Sequence, residues 1–233
     1  MAWICESTTE MATARPARRP SALPWYQSVR PGLLYLVGMI PAGWTFYLGL
    51  TDQLGADPMK ALERGLGLWA LRFLVLGLTI TPLRRTTGIS LLRYRRAVGL
   101  LAFIYAALHL TTYIVLDQGL DLAAVWADIV KRPFITVGMA AFVVLLPLAA
   151  TSNNAVIRRL GPGVWARIHR WVYVAAAAAA IHFVMVVKSW PIEPLVYAGL
   201  VLLLLGYRLL VRPRRPTGGR AAAPAQRRSP ARA

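Results

Sequence analysis

The chain has 233 residues, of which 57% are hydrophobic and only 15% charged, where soluble domains carry roughly 25% charged residues. Its mean hydropathy is +0.51. The formal net charge of +18 does not indicate nucleic acid, because the arginines lie in short patches between long apolar runs rather than along one face. The partner implied by this composition is a lipid bilayer. A single cysteine, Cys5, excludes an intrachain disulfide, a four-cysteine cluster and a C-x-x-C-H attachment site.

Residues 1–24 read as a disordered basic tail. Arg15, Pro16, Arg18, Arg19, Pro20 and Pro24 break its apolar content, so it does not form a signal-peptide core. Six segments follow that approach the ~20 apolar residues needed to cross ~30 Å of hydrocarbon: about 31–50, 66–82, 97–116, 133–150, 167–187 and 193–211. Pro31 and Pro133 fall in first helical turns, where a missing N–H is harmless. Pro41 and Pro147 fall inside spans, which is tolerated when neighbours re-satisfy the backbone. The expected fold is an all-α integral membrane protein, a six-transmembrane helix bundle over residues 25–212. Residues 213–233 form a second disordered basic tail.

The connecting segments alternate in charge. Arg15, Arg18, Arg19 and Arg30 precede the first span, and Arg84, Arg85, Arg93, Arg95 and Arg96 lie between the second and third. Arg158 and Arg159 lie between the fourth and fifth, and Arg208, Arg212, Arg214, Arg215 and further arginines lie at the end of the sixth and beyond it. In the intervening loops, 51–65 and 117–132, acids balance the bases. By the positive-inside rule both termini are cytoplasmic, N-in and C-in.

All three histidines, His109, His169 and His182, fall in or at the edge of these spans, where an ionisable side chain is costly and by default functional. His109 lies about seven residues from the outer end of the third span and His182 about five from that of the fifth. At ~1.5 Å per residue they share a depth, which suits two axial imidazoles of one b-type haem. His169 lies 13 residues before His182, roughly 20 Å deeper toward the cytoplasm, where a second haem would sit. Arg95 and Arg96, at the matching depth below His109, do not ligate iron. A step of 13 residues also turns an ideal helix by ~220°, so that site needs a non-histidine ligand or an open position. A membrane histidine can instead simply hydrogen-bond a neighbouring helix, and His169 can reach headgroups.

Arg72 lies six residues into the second span, near the depth of His109 and His182. It is a candidate cofactor-binding residue, pairing with haem propionates; the alternative is snorkelling to headgroups. An interfacial belt accounts for most of Trp44, Trp69, Tyr105, Tyr113, Trp165, Trp171, Tyr173 and Trp190. No G-x-G-x-x-G in strand context appears, and no segment outside the membrane is long enough for a flavin or nicotinamide domain. Electrons for such a carrier come from a quinol or a cytoplasmic flavoprotein. The acidic 51–65 and 117–132 loops are candidate docking surfaces at the exit.

Several stretches carry a family resemblance: Leu54-Gly55-Ala56-Asp57-Pro58, Trp69-Ala70-Leu71 through Ile80-Thr81-Pro82, and Tyr105-Ala106-Ala107-Leu108-His109-Leu110. Lys131-Arg132-Pro133-Phe134-Ile135-Thr136-Val137-Gly138, Ile168-His169-Arg170-Trp171-Val172-Tyr173 and Ile181-His182-Phe183 continue it. Over about residues 31–211 the chain resembles the MsrQ (YedZ) family within the ferric-reductase-like transmembrane group. The departure is Leu66 before Gly67, where a threonine is expected.

The resemblance implies a b-type haem electron-transfer subunit in the bacterial inner membrane, not catalytic alone. It would pass electrons from the quinone pool or a cytoplasmic flavin reductase to a periplasmic molybdopterin (MsrP-like) methionine-sulfoxide reductase that repairs oxidised methionines. It also implies iron ligation at His109, His169 and His182 and an FMN whose site no motif marks. The alternatives are a ferric reductase or quinone-linked cytochrome with another acceptor, or a proton-relay or transport protein. Against the last, no span carries an acid in its core and no internal repeat is evident.

Overall fold

The computed structural model describes residues 30–187 and 191–211; both expected tails and Trp190 lie outside these. Among the described residues every regular element is helical. The elements are α1 (Pro31–Leu50), α2 (Pro58–Thr87), a 3₁₀ turn (Leu92–Tyr94), α3 (Arg95–Thr112) and a π-helical turn (Tyr113–Asp117). After these come α4 (Leu122–Lys131), α5 (Pro133–Ala150), α6 (Asn154–Ile168), a second 3₁₀ turn (His169–Trp171), α7 (Val172–Val186) and α8 (Ile192–Leu210). Six helical runs are long and apolar enough to cross a membrane, with α3 joined to its flanking turns and α6 joined through its 3₁₀ turn to α7. Two of the expected spans, 31–50 and 133–150, coincide with α1 and α5.

The second span is longer than expected. Asp57 caps α2 by accepting from the Lys60 N–H, and Pro58 takes the first helical position, where its missing N–H costs nothing. Lys60, Glu63 and Arg64, read in the sequence as loop, therefore ride on the first turns of a 30-residue helix about 45 Å long. Gly88, at φ +76°, ends it with a left-handed residue that glycine adopts without strain. The 117–132 loop contains α4, whose Leu122, Trp126 and Val130 form an exposed stripe at helical spacing, suited to a lipid–water boundary. The 151–166 segment is also helical: Asn153 caps α6, and Gly161-Pro162 kinks it.

Helix α2 is the shared wall of the core. It packs against α1 and α3 through Ala42, Leu62, Leu66, Ala70, Leu101 and Tyr105. It meets α7 and α8 through Leu71, Leu78, Ala176, Ala180, Val201 and Leu204, and α3, α5 and α7 through Leu74, Ala102, Leu145, Leu148 and Ala175. The alanine run of α7 lets backbones approach closely where no aqueous hydrophobic effect drives helices together. Large apolar side chains such as Leu36, Ile40, Leu202 and Leu203 stay exposed on the outside.

Tyr105 is fully buried at a helix crossing rather than in a belt. Pro41 disrupts the α1 ladder, and the Tyr105 hydroxyl repairs it, accepting from the Ala42 N–H at 2.9 Å and donating to the Gly38 carbonyl at 2.7 Å. Tyr113 is also buried and donates to Asp128, and Tyr173 receives the Arg208 guanidinium, which also reaches the Leu78 carbonyl and Thr81 Oγ1. Tyr105 and Tyr113 are buried and Tyr173 is half-buried, and each of the three finds its hydrogen-bond partner on another element, as a phenol withdrawn from water requires.

Candidate functional site

His109 rides on α3 and His182 on α7. The most extensive helix pairings in the bundle are α2 with α3 and α5 with α7, so each histidine faces a long partner helix. The Nδ1 of His109 lies 2.9 Å from the Glu63 carbonyl on α2, and the Nδ1 of His182 lies 2.6 Å from the Phe134 carbonyl on α5. A carbonyl only accepts, so each Nδ1 carries the proton, and Nε2 is left as the free, electron-pair-bearing nitrogen of a neutral ring. The ring centres are 6.3 Å apart and the planes 71° apart.

Both rings line one cavity of about 570 Å³, within the range of small-molecule and cofactor pockets. Its walls are apolar, from Leu71, Leu74, Phe142, Leu145, Ala179 and Phe183 among others, and its mouth at the acidic-loop end carries Lys60, Arg64 and Arg132 beside Glu63, Asp117 and Glu193. Lys60 pairs with Asp57 at 2.7 Å and Arg132 with Asp128 at 3.1 Å. Among the described residues no carboxylate pairs with Arg64.

A second cavity of about 440 Å³ opens at the arginine-rich end, lined by Arg93, Arg95, Arg96, Trp165 and His169 and by apolar side chains. His169 stacks on Trp165 with centres 4.0 Å apart, and its Nε2 lies 3.1 Å from Thr151 Oγ1. No second histidine lines this cavity. Among the described residues no group of three histidine, cysteine or acidic side chains is placed to hold a metal ion.

The family model for "Ferric reductase like transmembrane component" matches residues 66–180. A "Protein-methionine-sulfoxide reductase heme-binding subunit MsrQ" from Brucella ovis is 61% identical over 185 residues, 77% of this chain and 84% of that one. Its namesake from Brucella anthropi is 60% identical over 192 residues, 80% and 86% of the two chains. The chain belongs to the MsrQ family. The MsrQ relatives named here are called heme-binding subunits, and the matched segment takes in His109 and His169.

Of the residues singled out by their depth in the spans, the structure joins His109 with His182 and sets His169 apart in the second cavity. Arg72 does not line the cavity of the paired histidines. Its Nε donates to Tyr197 Oη at 2.9 Å, its guanidinium lies 3.8 Å from Glu193, and it covers the Trp69 ring at 4.8 Å. These contacts turn it toward α8. Arg64, two turns earlier, faces the cavity instead. Gly67 and Gly138, which sit directly against the two imidazoles, also escaped sequence reasoning, since only the pairing of helices reveals them.

Proposed function

We propose that this chain is a membrane electron-transfer subunit that holds haem b between His109 and His182 and serves a protein-methionine-sulfoxide reductase. The carrying observation is the paired imidazoles. A metal–imidazole bond is about 2 Å and the ligating nitrogen lies about 1.1 Å from the ring centre, so two imidazoles that would hold one ion need centres no more than about 6 Å apart. The observed 6.3 Å lies at that limit. Both free Nε2 atoms belong to rings lining one apolar cavity, and the donor set of two neutral imidazoles is one that binds haem iron.

When bound, the haem supplies one-electron redox chemistry at its iron. The chain's own residues do the rest. His109 and His182 present their Nε2 lone pairs in fixed orientation because their Nδ1–H groups are tied to Glu63 and Phe134. Arg64, whose guanidinium no carboxylate pairs among the described residues, would hold a propionate at the mouth, where Lys60 and Arg132 are already matched by Asp57 and Asp128. Leu71, Leu145 and Phe183 exclude water. The partially engaged Arg72 has a lesser part, bracing α2 against α8 beneath the mouth.

The charge alternation of the connecting segments supports cytoplasmic termini and an inner-membrane location, with the paired-histidine cavity opening toward the periplasm. On that reading an MsrP-like molybdopterin subunit accepts electrons at the acidic end. Quinol or a cytoplasmic flavin reductase donates at the other, where the cavity of His169, Trp165 and three arginines suits a second redox group, FMN or another haem. The test is reoxidation. Reduced, purified protein should keep its reduced spectrum until the molybdopterin partner and methionine sulfoxide are both added, and should then oxidise. Equal oxidation by ferric chelates and no response to the partner would make it a ferric reductase.

A further inference from the structure

Two glycines stand in equivalent places beside the two imidazoles. A Cβ built on Gly67 would lie 3.1 Å from Nδ1 and 3.2 Å from Cε1 of His109. One built on Gly138 would lie 2.8 Å from Nδ1 and 2.9 Å from Cε1 of His182. Gly67 is four residues after Glu63 and Gly138 four after Phe134, and these are the residues whose carbonyls the two rings reach.

The spacing has a physical reason. In an α-helix the Cα–Cβ bond leans toward the N-terminus, so each side chain covers the turn before its own Cα. The carbonyl of residue i is therefore shielded by the side chain at i+4, whose N–H already takes one of its lone pairs. Removing that side chain uncovers the second lone pair, so a ring from another helix can lie flat against the glycine and donate to it.

We propose that Gly67 and Gly138 are positioning residues for the two imidazoles, each opening the carbonyl four residues earlier so that Nδ1–H is captured and Nε2 is presented to the cavity. That Nε2 then meets iron rests on the functional reading above; the capture of Nδ1–H does not. One device, used on α2 and on α5, sets both ligands. A hydrogen bond from the far nitrogen fixes the ring's tautomer and raises its basicity. Both glycines therefore also hold the haem potential down.

The experiment compares Gly67→Ala and Gly138→Ala with wild type and with Gly43→Ala, where a Cβ meets nothing within 4 Å. Loss of such an outer partner typically weakens ligand affinity about 10- to 100-fold. Haem retention should fall in that range, more for Gly138→Ala than for Gly67→Ala, with a raised midpoint potential and an altered low-spin EPR signal. Gly43→Ala should match wild type. Gly138→Ala should lower the melting temperature of the wild type but not of His182→Ala, where no ring is left to displace and no haem to read; a merely structural glycine would cost the same in both.

Nitrogen-15 NMR of histidine-labelled protein prepared without haem supplies a readout independent of the cofactor. Wild type should show Nδ1–H tautomers at His109 and His182, and each alanine should release its own ring. Wild type that takes up no haem when it is supplied, yet shows both tautomers fixed, would overturn the functional reading and leave this one standing. Unchanged tautomers, potential and retention in both variants, or an equal loss of melting temperature with and without His182, would overturn the glycine assignment.

Discussion

His109 and His182, 73 residues apart in the chain, meet with ring centres 6.3 Å and planes 71° apart. The angle has a spectroscopic consequence. Nearly perpendicular axial imidazoles leave the iron d-orbitals almost degenerate, whereas parallel ones split them. Frozen oxidised protein should give a highly anisotropic low-spin EPR signal with one large g-value. A rhombic signal of the parallel type would show that the rings turn when haem binds.

Arg64 and Arg72 should separate cleanly. Arg64 faces the cavity, and removing a cation near a propionate favours the ferric state, so Arg64→Ala should lower the midpoint potential and loosen haem. Arg72 is spent on Tyr197, Glu193 and Trp69, with 37% of its side chain exposed, and exposed ion pairs contribute about 0–1 kcal/mol. Arg72→Ala should lower the melting temperature slightly and leave the potential close to that of wild type. Potentiometric titration of both variants decides, and a large shift for Arg72→Ala alone would restore it as the propionate partner.

How much of this was legible follows physical lines. Apolar length marked α1 and α5 to the residue, because Pro31 and Pro133 announce their starts. It failed at α2, where charge on Lys60, Glu63 and Arg64 outweighed the Asp57-Pro58 start signal that was present in the sequence. Helix α6 was missed because Gly161-Pro162 looks like a loop and is a kink. Depth along a helix could be counted, so His109 and His182 were matched; azimuth could not, so the turn of Arg72 toward Tyr197 and Glu193 could not be read. Contacts made by pairing, such as Gly67 on His109 or Tyr105 on α1, leave no local trace.

Tyr105→Phe tests the repaired ladder. It strands the Ala42 N–H and the Gly38 carbonyl in a buried site, and each unmet group costs about 1–3 kcal/mol. Thermal unfolding in detergent should show a clear loss with the haem spectrum unchanged. Adding Pro41→Ala should recover part of it, since the helix can then close its own bonds. A loss unaffected by Pro41→Ala would assign the role of Tyr105 to packing alone.

The start of α2 should be acid-sensitive. Lys60, through its ammonium and its backbone N–H, holds the Asp57 carboxyl below the usual carboxylate range. A depressed folded-state pKa contributes stability that is full above the unfolded value of about 3.9 and is lost as pH falls through the lower folded one. Hydrogen exchange should find the first turn of α2 protected at neutral pH and opened only below about pH 4. In Asp57→Ala it should be open at both. Equal protection in the variant at neutral pH would remove the cap from the account.

The central claim is that His109 and His182 ligate one haem, and the most direct measurement is the optical spectrum of detergent-purified protein, oxidised and dithionite-reduced. The account predicts a sharp b-type α-band on reduction, lost in His109→Ala and in His182→Ala, with a band surviving in both only if His169 holds a second haem. A colourless wild-type protein expressed with ample haem, or a full spectrum in either variant, would contradict it.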